Sequence, residues 1–270
     1  MVDLTLPVER APLAVVDVET TGLWAEQGDR VCEVAVLRLD GRGGESLFSN
    51  LVNPGRPIDR DASRVNGLRD EDVTLAPRFR DLVPRLDELL SDVVLVAHNA
   101  PFDSAFLVAE YAIARMPPPD VPVLDTLELS RRLFRFRRND LASVAVQLGV
   151  PLAGTRHRAA DDVRTTYQVL LRMAEELAGR GLDNVGKLLV AQGRVVSLRP
   201  PRPDGLPEPL AQAIGQRRPI TICYVDAGGN ASERVVEPLW ANRSYLIAFC
   251  RAKRAQRTFR LDRIVDAWLA

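Results

Sequence analysis

The stretch Val15-Val16-Asp17-Val18-Glu19-Thr20-Thr21-Gly22-Leu23 places two acids two residues apart on a run of β-branched residues. In a strand successive side chains alternate between faces, so both carboxylates leave the same face. Two like charges side by side in a buried strand are costly unless a cation or hydrogen bonds compensate them. The fold must therefore bring compensating groups to that end of the strand, and an acid pair there forms a ligand set for a hard cation.

The rest of the chain supplies a sheet to hold this strand. Residues 13–18, 31–39 and 47–52 read as three strands with no helix between them, which implies antiparallel pairing. A loop with Pro54 and Pro57 follows, then a turn at 64–68 and a helix over 77–90 with Phe79, Leu82, Val83, Leu86, Leu89 and Leu90 at helical spacing. The apolar run 93–97 has the pattern of a strand covered on both faces. It is followed by a helix to about 114 with Pro101 in its first turn, and by a short strand over 121–124. Helices are expected over 127–134, 141–148 and 159–178. Strands first in succession and then alternating with helices predict an α/β domain, a mixed sheet flanked by helices, over residues 1–178.

Beyond it the pattern changes. Five of the eleven residues 199–209 are proline, and residues 179–209 read as a Pro-rich, semi-rigid linker region. Residues 210–270 contain short strands at 220–225, 234–236, 245–250, 258–261 and 264–268, with a Gly228-Gly229 turn, the pattern of a small β-barrel. This second region carries ten basic and five acidic residues, against a formal net charge of zero for the whole chain. The balance argues against nucleic-acid binding by bulk electrostatics, while the basic rear assigns the two regions different tasks. Three isolated cysteines, Cys32, Cys223 and Cys250, lack metal-ligand spacing and fit a reducing compartment. With no apolar run of membrane-spanning length and no signal-peptide pattern, a cytoplasmic location is expected.

The only two histidines lie in His98-Asn99-Ala100-Pro101-Phe102-Asp103 and His157-Arg158-Ala159-Ala160-Asp161-Asp162, each followed five residues on by an aspartate at the start of an expected helix. Residues one turn apart share a helix face, so Asp103 and Asp162 can point back toward the strand ends. Asp17, Glu19, Asp103 and Asp162 together suit two hard cations, Mg²⁺ or Mn²⁺. Two such ions about 4 Å apart activate a water and stabilise the leaving oxygen of a phosphodiester. His157, with an ordinary pKa near 6.5, is the available general base.

These three motifs, in this order, resemble those of the DEDDh group of 3′→5′ exonucleases, which includes the proofreading subunit of bacterial DNA polymerase III and ribonuclease T. The resemblance covers about 165 residues and implies a ribonuclease H-like fold, release of nucleoside monophosphates from 3′ ends, and the same roles for the four acids and His157. It further implies that the loop after the acid strand abuts the terminal nucleotide, with the backbone near Thr20 at the 3′ hydroxyl and Leu23 on the base. His98, Asn99 and Phe102 fall in its second motif as candidate supporting or substrate contacts. Asp161 is the solvated neighbour of Asp162. Relatives often carry histidine where this chain has Asn66 before Gly67. A free 3′ end, favouring single-stranded DNA, is the expected partner, with a polymerase or repair protein left open.

The last sixty residues resemble the WYL domain, a small Sm-like or SH3-like barrel of bacterial regulators that senses ligands or nucleic acid. The matching segments are Arg234-Val-Val-Glu-Pro-Leu, 244–250 and 257–264, and the family's tryptophan is Ser244 here. Tyr224, Arg243, Tyr245, Arg257, Arg260 and Arg263 combine stacking and charge as candidate nucleic-acid or ligand contacts. The expected function is thus a metal-dependent exonuclease assisted by this domain. The alternatives are a ligand- or nucleic-acid-sensing regulatory protein and RNA 3′-end trimming.

Overall fold

A computed structural model describes residues 2–153, 158–193, 196–198, 208–216, 218–226, 230–241 and 245–269. Its contacts divide the chain into two units. One comprises Met1–Leu23, Arg30–Leu107 and Pro119–Leu198; the other comprises Trp24–Asp29, Val108–Pro118 and Arg199–Ala270.

The first begins with strands β1 (Leu13–Thr20), β2 (Val31–Leu39) and β3 (Glu45–Leu51). Helices α1 (Arg60–Asn66), α2 (Asp70–Val73) and α3 (Phe79–Leu90) lead into strand β4 (Val94–Ala97). Helix α4 (Ala100–Ala114), whose residues from Val108 onward are counted with the other unit, strand β5 (Pro122–Asp125) and helices α5 (Thr126–Leu133), α6 (Leu141–Gln147) and α7 (Ala159–Ala178) follow. Helix α8 (Val185–Ala191) and strand β6 (Val196–Ser197) complete the unit. The six strands lie in the order β3-β2-β1-β4-β5-β6. β1 pairs antiparallel with β2 and parallel with β4, and β4 runs parallel to β5, giving the mixed sheet the pattern predicts.

Strand β1 sits inside this sheet because both its faces are apolar along most of its length: residues 13–16 and Val18 are buried. Leu13 and Val15 join one core cluster with Ala35 and Leu37 of β2 and with Ala159, Val163 and Leu170 of α7. Asp17 and Glu19 continue that row, so the acids emerge beside the N-terminal end of α7, where Asp162 lies.

Three features of the first unit differ from the sequence pattern. Residues 60–66, expected to be loop leading into a turn, form α1, which closes at Gly67 in a left-handed conformation (φ 74°) that glycine adopts without strain. Helix α3 starts at Phe79, two residues after the expected start at 77, and keeps Pro84 inside it, one turn and a half from its start. Residues 185–198, expected to be part of the 179–209 linker region, hold α8 and β6, with Val185, Leu188 and Leu198 buried and β6 paired to β5. Gln192 substitutes for a strand at this edge: it accepts from Asp125 N (2.9 Å) and donates to the Val123 carbonyl (3.0 Å). The proline-rich residues 199–207 lie outside the described residues.

The second unit contains helix α9 (Glu208–Gln216) and strands β7 (Ile220–Val225), β8 (Ala231–Ala241), β9 (Tyr245–Cys250), β10 (Ala255–Arg260) and β11 (Ile264–Leu269). They form an antiparallel sheet in the order β10-β9-β8-β7-β11. Alternating Ile220 and Ile222, then Leu246, Ala248 and Cys250, meet Phe259 and the α9 residues Leu210 and Ala213 in its core. β8 is far longer than the three residues legible in sequence, and its register shifts after Pro238, a residue with no N–H for the ladder. The Gly228-Gly229 turn is outside the described residues.

Candidate metal centre

The site forms where β1 leaves the sheet. Asp17, Glu19 and Asp162 each offer a carboxylate oxygen, and these oxygens lie within 4.8 Å of one another. Strand alternation puts the first two on one face, and Asp162 reaches them from the first turn of α7, whose backbone begins with Asp162 N donating to Arg158 O (3.1 Å). Asp103, one turn into α4, is 3 % exposed and accepts from Val18 N (3.1 Å), the peptide between the two strand acids. Asp103 therefore stands on the backbone of the acid pair and lies outside the three-oxygen group.

The electrostatics are those of concentrated acid. Burial, with Asp162 and Glu33 close by, pushes the Asp17 carboxyl up to about 8. Burial and the neighbouring Asp17, Glu33 and Asp162 push Glu19 up to about 9, against a smaller opposing pull from Arg158. Asp103 is raised by burial and Asp17, although the Val18 N–H opposes this. Such a cluster fits divalent cations: its donors are all carboxylate oxygens, and it is held close by a strand and a helix terminus. A bound cation would supply the positive charge that makes ionisation of these groups favourable.

Glu33 and Arg158 belong to this centre and were not singled out from sequence. Glu33 of β2 is the direct cross-strand partner of Glu19 and is 1 % exposed. Arg158 grips it with both arms of its guanidinium, Nε to Oε2 at 2.9 Å and Nη2 to Oε1 at 2.8 Å. The pair fixes the residue that caps α7 and immediately follows His157 in the chain. The antiparallel register that brings Glu33 opposite Glu19 is long-range, and in a single sequence Glu33 is one acid in an apolar strand.

The remaining candidates are placed as follows. His157 lies outside the described residues. Thr20 is buried, its hydroxyl donating to Gly22 O (2.6 Å) and its carbonyl accepting from Asn66 Nδ2 (3.3 Å). Leu23 is 68 % exposed. Both ring nitrogens of His98 have partners inside the unit, Nδ1 with Thr126 Oγ1 (2.9 Å) and Nε2 with Asn139 O (2.8 Å). Burial holds the His98 ring below its ordinary pKa. Asn99 is exposed, with a left-handed backbone (φ 74°) and its N–H on Asp125 Oδ1 (3.0 Å). Phe102 packs on Phe106 with ring centres 4.9 Å apart.

In the second unit Tyr224 lies edge-on to Phe259, with ring centres 5.1 Å apart, and packs on the core. Tyr245 and Arg263 are half-buried, Arg257 and Arg260 are exposed, and Arg243 is outside the described residues. Arg260 is forked onto Asp262 at 3.0 and 2.7 Å.

A mixed sheet with acids converging at the end of its central strand defines a nuclease of the exonuclease class, and comparison with known proteins agrees. The exonuclease family model (RNase_T) matches residues 14–170, and the WYL domain model matches residues 206–268. The chain belongs to the exonuclease family, a group of nuclease hydrolases, and carries a WYL domain. It is 34 % identical over 171 residues to DNA polymerase III subunit epsilon of Treponema pallidum, covering 61 % of this chain and 77 % of that protein. It is 36 % identical over 188 residues to a DNA polymerase III subunit epsilon-like protein of Rhodobacter capsulatus, covering 68 % of this chain but 26 % of the relative. With DNA polymerase III PolC-type of Bacillus subtilis it shares 33 % identity over 200 residues, 73 % of this chain and 14 % of the relative. The chain thus spans only a minor part of these last two proteins.

Among solved structures, Exonuclease X in complex with 5′ overhanging duplex DNA superposes with a TM-score of 0.53 at 24 % identity, covering 67 % of this chain and 99 % of that one. The nuclease domain of 3′hExo, a DEDDh family member bound to rAMP, gives 0.53 at 18 % identity, covering 68 % and 96 %. These likenesses establish the ribonuclease H-like exonuclease fold. No described helix is long and apolar enough to cross a membrane.

Proposed function

We propose that the chain is a 3′→5′ exonuclease that releases nucleoside monophosphates from single-stranded DNA ends, with Asp17, Glu19, Asp103 and Asp162 holding two Mg²⁺ or Mn²⁺ ions. The observation that carries this reading is the convergence of the Asp17, Glu19 and Asp162 oxygens within 4.8 Å at the end of a buried strand. Bound cations would supply charge to polarise the phosphodiester and lower the pKa of a water. His157, the residue before Arg158 in the sequence, would take the proton from the attacking water. Asn66 holds the Thr20 carbonyl and so shapes the loop against which the terminal sugar rests, while exposed Leu23 offers an apolar edge to its base. Asn99 and Phe102 line the approach, and His98 orders the turn that carries them.

DNA is favoured because relatives that match the exonuclease region are named DNA polymerase III subunit epsilon and DNA polymerase III PolC-type. We assign the exonuclease region to the first unit, which with α8 and β6 extends past residue 178 to Leu198, and the WYL-like region to 210–270, the latter assisting nucleic-acid binding or regulation from a basic surface. A reducing cytoplasm suits the three free cysteines.

The test is digestion of end-labelled single-stranded and duplex DNA and RNA in Mg²⁺ or Mn²⁺, with product sizing. Mononucleotides released from the 3′ end are expected, fastest on single-stranded DNA. Tight binding with no turnover in either metal would instead favour a sensing protein, and faster release from RNA would make the chain a 3′-end trimmer of RNA.

A further inference from the structure

Residues 131–140, Arg-Arg-Leu-Phe-Arg-Phe-Arg-Arg-Asn-Asp, put five arginines beside one aspartate. In a neutral chain this concentration stands out. All five arginines are exposed, whereas Phe134 and Phe136 are half-buried and pack on the core of the first unit. The two phenyl rings stack with centres 4.9 Å apart and planes 12° from parallel. With the two phenylalanines held against the core, Arg135 between them and Arg137 after them are left exposed. Arg131 pairs with Glu128 and Arg138 with Asp140, while Arg135 and Arg137 have no carboxylate partner among the described residues.

The far end of the segment is fixed as firmly. Asn139 Oδ1 accepts from Ser130 Oγ (2.8 Å), and Asn139 O lies 2.8 Å from Nε2 of His98. Gln147 accepts from Arg137 N (2.9 Å) and donates to Arg138 O (3.0 Å). The arginines thus stand on a braced ledge, so that little conformational freedom is lost when a ligand meets them. Beside it is a cleft of about 340 Å³ lined by Arg137, Arg138, Ala142, Ser143, Val146 and Gln147, with Val146 69 % exposed. Cationic walls around an apolar patch match an anion that also carries apolar rings, the composition of a nucleic-acid strand.

Position supplies the rest. β1, β4 and β5 are parallel neighbours, and at their C-terminal ends lie in turn the acids Asp17 and Glu19, then His98 and Asn99, then Asp125 at the head of α5. The arginine ledge follows α5 and is tied to His98. A strand whose 3′ end lies at the acids and whose body crosses these strand ends reaches the ledge next.

We infer that Arg135, Arg137 and the adjoining cleft form an accessory site for the phosphodiester backbone of the single strand, several nucleotides 5′ of the residue being removed. This rests on the exonuclease reading for the placement of the 3′ end. The site contributes affinity for long substrates and nothing to the terminal nucleotide.

The full chain and its R135A/R137A variant are compared in two measurements. Fluorescence anisotropy with a labelled single-stranded oligonucleotide in Ca²⁺ reads binding without relying on turnover. The variant is expected to bind about tenfold more weakly at low salt, with the slope of log K against log salt smaller by about 1.4, two contacts' worth. R135K/R137K should recover most of that slope. In Mn²⁺, kcat/KM for the oligonucleotide relative to that for the p-nitrophenyl ester of thymidine 5′-monophosphate should fall about tenfold. Unchanged affinity and slope in R135A/R137A would overturn the site. Equal loss on both substrates would also overturn it, because the arginines would then act at the terminal nucleotide. Should the parent chain turn over neither substrate, the exonuclease reading falls, and the anisotropy result alone decides whether the ledge binds nucleic acid.

Discussion

The two units treat charge in opposite ways. In the first, Asp17, Glu19, Asp103 and Asp162 are drawn together inside the fold, with Arg158 the basic group that touches the cluster through Glu33. In the second, charge stays outside: Arg257 is exposed, Arg260 closes on Asp262, and Arg251 meets Glu237 at 3.0 Å. Water solvates the second arrangement at little cost, so its arginines carry no chemical information by themselves. The first is expensive without a ligand, and its persistence in a tightly packed sheet marks the place where chemistry happens. Acids crowded together inside the fold are thus a stronger functional signal than abundance of charge.

Replacing Asp17 by Asn should produce the largest effect, since it removes one of the proposed cation ligands and leaves the packing of β1 intact. Cleavage of a labelled oligonucleotide is expected to fall about 10³-fold or more. The same variant should fold at least as stably as the parent in metal-free buffer, because it relieves like-charge crowding around Glu19. A variant that keeps its activity would remove the acid cluster from the mechanism and erase the contrast between the units.

The pH dependence of stability sharpens the same contrast. Asp17 ionises ordinarily at 3.8 and Glu19 at 4.5, whereas in the folded metal-free chain they are raised to about 8 and about 9. Between those limits the folded state holds protons that the unfolded state has released, so stability contributed by these groups is present at low pH and lost as pH rises. A bound cation would take the place of those protons. The difference in melting temperature between Mg²⁺ and EDTA should therefore be small near pH 5 and grow by several degrees toward about pH 9. The EDTA melting temperature of the parent should decline relative to that of Asp17→Asn over the same range. A metal effect independent of pH would show that the acids are already compensated within the protein.

What was legible in sequence follows the reach of each interaction. The acid pair could be read because strand alternation is local, and Asp103 and Asp162 because helix spacing is local. Glu33 could not, since its place opposite Glu19 depends on how β2 turns back along β1. The seven residues of α1 carry too little periodicity to separate them from loop, and β6 is two residues long and exists only by pairing with β5. His98 illustrates a different limit. Its motif was visible, but its two bonds, to Thr126 and to Asn139, join it to residues 28 and 41 positions away. The segment around Arg135 and Phe136 shows in sequence only arginines interleaved with phenylalanines, and it takes the stacking of those phenylalanines to separate an inner from an outer face.

The smallest effect is expected from Arg260→Ala in the second unit. Its fork onto Asp262 looks as well formed as the grip of Arg158 on Glu33, with a shortest contact of 2.7 Å against 2.8 Å. The partners differ in setting: the Asp262 side chain is 61 % exposed and the Glu33 side chain 2 %. Water and salt replace the lost partner at the surface, so Arg260→Ala should shift the melting temperature by less than about 1 °C and leave cleavage of a short oligonucleotide unchanged. Thermal melts at low and high salt check this, since any contribution of the pair should vanish as salt rises. A loss of several degrees that persists in high salt would mean that Arg260 is held by more than Asp262, and that the outward charges of the second unit are organised as closely as the inward charges of the first.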